Sequence, residues 1–141
     1  FGATKADHLH QVQHDKLTAL MQALTDDAAR RTEFQGAQTL AVSLASLRST
    51  TEEIREYDGQ QIDCVRGTIE HSRKQAAFFA GKRPEDGVGI LSKARNGAQE
   101  WLEQYYSSMI FSLPDGAFRS GQGIAHIRLD KAAEFLSGHK L

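Results

Sequence analysis

The sequence holds a single cysteine, Cys64, and only two prolines, Pro84 and Pro114, in 141 residues. One thiol closes no internal disulfide, and without a CxxC or Cys/His cluster the chain is neither a secreted disulfide scaffold nor a zinc ribbon. No apolar run approaches the roughly 18 residues of a membrane-spanning helix, and no charged-then-apolar leader opens the chain. An excess of charge of one sign is missing too. The 17 Lys and Arg against 18 Asp and Glu leave a formal net charge of −1, which removes the whole-chain footprint of a general binder of nucleic acid or anionic membranes. The G-x-S-x-G elbow, H-E-x-x-H, the P-loop and the Rossmann glycine fingerprint do not occur, so no catalytic residue is assigned and an enzyme is disfavoured. Together these point to a soluble domain in a reducing, cytoplasmic compartment. Phe1 at the first position leaves room for a targeting segment or anchor before it.

What is present favours helix. Ala, Leu, Gln, Glu, Lys and Arg are abundant, Val and Ile are sparse, and 40% of residues are hydrophobic. In residues 4–24, Leu9, Val12, Leu17, Leu20, Met21 and Leu24 recur at three- and four-residue spacing, one stripe of an amphipathic helix. Thr25-Asp26-Asp27 then predicts a turn and restart, with a capping side chain and first-turn carboxylates. From Phe34 the stripe runs through Ala37, Leu40, Leu44, Leu47, Ile54, Ile62, Val65 and Ile69 to Phe79 at a period near 3.5. It predicts one long helix kinked around 49–59, or two helices with Thr50-x-x-Glu53 as a capping box. Gly59 and Gly67 would each cost about 1 kcal/mol there. After Gly81 and Pro84, the positions Ile90, Leu91, Ala94, Ala98, Trp101, Leu102, Tyr105 and Met109 predict another helix.

Beyond Phe111 the pattern changes. Leu113-Pro114-Asp115-Gly116 predicts a turn closing a short hairpin, and Asp130 opens a short helix stopping at Gly138. The expected architecture is mainly α: an antiparallel bundle of three or four long amphipathic helices over 1–113, with residues 114–141 a short hairpin and helix appendage packed on it.

Candidate chemistry is sparse. On a continuous helix Asp7, His10 and His14 fall within about 60° of one another, a facial set for a divalent transition metal, with His8 on the other side. The plainer reading makes Asp7 a helix-start carboxylate and leaves the histidines solvated; no cofactor is otherwise expected. Arg73, Lys74, Lys82 and Arg83 would gather into one basic patch if the end of the long helix met the start of the next, although solvated helix faces explain them as well. Asp58 falls on the apolar stripe as a register-fixing polar residue, Cys64 reads as an inert packing thiol, and Gly121-Gln122-Gly123 after Arg119 is a weak anion cradle. By elimination, the expected function is a non-enzymatic helical protein–protein interaction or assembly module, self-associating through leftover helix faces. A metal-binding bundle and a nucleic-acid accessory protein are the alternatives.

Overall fold

The computed structural model describes residues 1–81, 110–118 and 123–138. In chain order these residues form β1 (Gly2–Ala3), two 3-10 turns (Ala6–His8 and Gln11–Gln13), α1 (His14–Phe34), β2 (Val42–Ser43), β3 (Thr50–Tyr57), β4 (Gln60–Ile69), β5 (Gln75–Phe78), β6 (Phe111–Ser112) and α2 (Leu129–Ser137). The architecture is mixed α/β, with two helices among the described residues, and the expected all-α bundle is overturned.

The error lies between Phe34 and Phe79. Helix α1 ends where Gly36 takes a left-handed φ of +83°, and the chain that follows is extended. Strands β3 and β4 form a hairpin in which Tyr57 faces Gln60 and Thr50 faces Gly67. Its two-residue loop is Asp58-Gly59, with φ of +51° and +71°, the doubly positive geometry of a turn that matches strand twist. Asp58 is thus an exposed corner residue and not a polar position in a helix seam. The β-branched residues Thr50, Thr51, Ile54, Ile62, Val65, Thr68 and Ile69 suit a pleated surface better than a helix. Spacings of three, four and eight residues among Ile54, Ile62, Val65 and Ile69 match a helical stripe without belonging to one.

Helix α1 differs at both ends from its expected span. Residues up to Gln13 form the two 3-10 turns, and the helix passes straight through Thr25-Asp26-Asp27. Thr25 Oγ1 donates back to the Met21 carbonyl at 2.8 Å, so it serves the helix interior and caps nothing. Asp26 pairs with Arg30 one turn on. The helix expected over 84–109 lies outside the described residues, as do Lys82, Arg83, Arg119, Gly121 and Gln122.

Two sheets result. Strands β1 and β2 pair in parallel, Gly2 opposite Val42 and Ala3 opposite Ser43, with α1 as the crossover, a small βαβ unit. The second sheet is antiparallel in the order β3-β4-β5, and β6 joins Thr68 and Ile69 of β4. The core forms where the two units meet: Leu9, from the segment after β1, is buried with Val65, Phe78, Ala80 and Phe111, and Leu17 of α1 packs against them. Gly67 is required here, because a Cβ on it would stand 2.5 Å from Cδ1 of Phe111. Residues 125–127 return to the segment after β2: Ala45 and Ile127 form an antiparallel bridge, and Arg48 N donates to Ala125 O at 2.8 Å.

Candidate functional site

In an open α/β unit, ligands bind beyond the carboxyl ends of parallel strands. At that end of the β1–β2 pair, the loop after β1 carries Thr4-Lys5-Ala6-Asp7 and the segment after β2 runs from Leu44 to Ser49. The two are bonded directly. Ala6 N donates to Leu44 O at 3.1 Å, and the Asp7 carboxylate receives Ser49 N at 2.9 Å and Ser49 Oγ at 2.5 Å, both on Oδ2. Thr50 Oγ1 donates to the Asp7 carbonyl. Asp7 is only 4% exposed, and a carboxylate offers about four acceptor positions, of which these two bonds occupy two. Lys5 makes the sharp turn into the loop with a left-handed φ of +58°.

The loop is also held from α1. His14 Nε2 lies 2.9 Å from Ala6 O and 3.1 Å from Leu9 O. Both partners are acceptors, so Nε2 carries the proton. The next histidine-bearing position works differently: His10 precedes the second 3-10 turn, and its Nδ1 faces the Val12 N–H at 3.5 Å. Asp7, His10 and His14 therefore have separate partners instead of a shared point. Among the described residues, no group of three His, Cys, Asp or Glu side chains is placed to hold a metal ion. The wheel argument that joined them assumed a continuous α-helix, and residues 6–13 are not one.

His8 stands beside Asp7 with its ring edge-on to Phe111, centroids 5.1 Å apart. Burial pushes its pKa below the usual histidine value, and the neighbouring Asp7 charge opposes that. Phe111 in turn packs edge-on against Phe78, so the loop is tied to the antiparallel sheet through a row of rings.

Behind the loop lies a buried polar junction. Ser43, fully buried, donates through Oγ to His14 O at 3.0 Å. Arg128 donates to Ser43 Oγ at 2.8 Å and to Asp15 Oδ1 at 2.8 Å, joining the start of α2 to α1 and β2.

A cleft of about 400 Å³ is lined by Arg48, Ser49, Thr50, Thr51, Arg66 and Thr68 among others. Its two arginines are already paired, Arg48 with Glu52 at 3.3 Å and Arg66 with Glu53, so its charge is balanced. The Arg66 and Arg55 hydrogen bonds hold the Glu53 carboxyl down to about 2. Cys64 lies in β4, not on a helix; it is buried, and burial raises its thiol pKa. Of the expected basic patch, Arg73 and Lys74 are exposed at the β4–β5 connection, and the other two members lie outside the described residues.

Sequence reasoning singled out Asp7 and His14 but missed Ser49 and the carboxyl-end loop, and took Thr50 for a helix cap where it opens β3. The available signal was a βαβ pattern: short apolar runs at Phe1–Ala3 and Leu40–Ala45 flanking a helix.

The described residues thus form an α/β unit whose strand-end loops close around a buried carboxylate, at the end where open α/β sheets generally bind ligands. The chain belongs to the YcjX-like family, DUF463, whose model it matches over residues 1–141. It is similar to the Ras-like GTPase YcjX of Escherichia coli (strain K12), 32% identical over 142 residues, an alignment that covers 100% of this chain and 28% of the relative. The chain thus spans about 28% of that relative's length. Family membership and the α/β fold overturn the expected helical assembly module. With no bundle, its two alternatives also lose the scaffold on which they were argued. Among the described residues no helix is long and apolar enough to cross a membrane.

Proposed function

We propose that this chain serves a guanine-nucleotide-binding protein by recognising the base, with the Asp7 carboxylate as the acceptor that reads it. The observation that carries this reading is the position of Asp7: buried, bonded to Ser49 through one oxygen, at the carboxyl end of a parallel βαβ unit. The relative's description as a Ras-like GTPase supplies the nucleotide class. Guanine presents two adjacent donors, N1–H and the 2-amino group, spaced to meet a carboxylate as a bidentate pair. Adenine lacks the N1 proton and fails that match. Shielding from bulk water strengthens hydrogen bonds to a charged acceptor. The P-loop motif does not occur in these 141 residues, so the role assigned to them is base selection, and phosphoryl chemistry is not attributed to them.

Equilibrium binding of GDP, ADP and xanthosine diphosphate to the full-length protein tests this. The wild type should prefer GDP to ADP. Asp7→Asn should weaken GDP by roughly one to two orders of magnitude, the scale of hydrogen bonds to a charged group. It should also improve xanthosine diphosphate, because an amide N–H meets the C2 carbonyl that a carboxylate repels. An unchanged base preference in Asp7→Asn overturns the reading.

A further inference from the structure

We infer that His14 is a positioning residue for base selection, acting through the loop backbone that carries Asp7; this rests on the base-binding role proposed above. One ring nitrogen, Nε2, reaches two carbonyl oxygens that bracket Asp7, those of Ala6 and Leu9, at 2.9 and 3.1 Å. Both the ring and Ala6 are buried, so bulk water does not compete for the shared N–H. The main chain of His14 makes the complementary link: its carbonyl accepts Ser43 Oγ at 3.0 Å. A single residue at the first turn of α1 thereby fastens the loop after β1 by its side chain and strand β2 by its backbone. On the other flank of Asp7 the Thr50 hydroxyl and Ser49 hold the loop, together with the Ala6 N–H on the Leu44 carbonyl. Without the His14 donor, the Ala6 carbonyl would keep only the Leu9 N–H, at 3.1 Å, and the Leu9 carbonyl would lose this partner, so both would be freer to turn. The peptide planes beside Asp7 would turn with them. The carboxylate would remain present and charged but misdirected, and a bidentate contact loses most when its direction is wrong.

The test compares GDP with inosine diphosphate, which lacks only the 2-amino group, in equilibrium binding to the full-length protein. The wild type should favour GDP by about tenfold or more, the value of one hydrogen bond to a charged acceptor. His14→Ala should bring that ratio close to one. His14→Gln, whose amide nitrogen reaches as far as Nε2 and keeps an N–H, should restore it. His14→Asn, one bond too short, should behave as the alanine variant does, and it carries the test if His14→Ala does not fold. Equal weakening of both nucleotides with the ratio intact would reveal a merely structural role and overturn the inference, as would loss of the ratio in His14→Gln. A wild type that does not separate GDP from ADP sinks the base-binding reading itself, and His14 with it, before any variant is made.

Discussion

Ser49 gives both its backbone N–H and its hydroxyl to one oxygen of Asp7, across 42 residues of sequence. Ser49→Ala removes the hydroxyl and keeps the amide, leaving a buried carboxylate with one partner fewer. The expected cost is about 1–3 kcal/mol, read as a lower urea midpoint at unchanged m-value.

Gly67 faces the ring of Phe111 with no space for a methyl group. Gly67→Ala should therefore destabilise by about 1–3 kcal/mol through overpacking, despite alanine's usual advantage over glycine. Phe111→Leu in the same chain should recover part of that loss. A double-mutant cycle with no coupling between the two positions would show that the contact is not the cause.

Glu53 sets one limb of the acid response. Its folded pKa, about 2, lies below the ordinary 4.5 because Arg66 and Arg55 bond the carboxylate. A depressed acid contributes stability that is complete above the unfolded value and disappears as pH falls from about 4.5 towards 2. Glu53→Gln should flatten stability against pH within that window and leave the slope above pH 6 unaltered, as followed by chemical denaturation across the range.

Arg128 has a left-handed backbone, φ +52°, and bonds Ser43 and Asp15 through its guanidinium. Arg128→Gly relieves the backbone and removes the bonds; Arg128→Ala removes the bonds and keeps the strain. Both should speed amide hydrogen exchange in 125–137, with alanine the less stable of the two. Slower exchange in the glycine variant than in the wild type would mean that the strain outweighs the bonds.

Parts of the fold were legible in the sequence. Leu17, Leu20, Met21 and Leu24 announce α1 correctly because they lie within a segment rich in strong helix formers. The Asp58-Gly59 corner was equally visible as a hairpin signal, yet Ile54, Ile62, Val65 and Ile69 happen to fall at helix-compatible intervals. Period counting alone cannot separate those two origins. Ile54, 60% exposed on β3, shows that an apolar residue in the stripe need not mark a buried face. Asp7 and His14 stand out in the sequence as ligand-type side chains. Their actual partners, Ser49 and two loop carbonyls, depend on tertiary approach that neither residue type nor spacing encodes.

The Arg128 junction joins positions 85 and 113 residues apart, and this has a kinetic consequence. Closing loops of that length precedes any reward from the contacts they make. Helix α1 and the β3–β4 hairpin, built from local contacts, should form early. The loop carrying Asp7 should reach its final geometry late, once residues 125–128 have docked beside β2. During synthesis, the final geometry around Asp7 would then lag behind compaction of the chain.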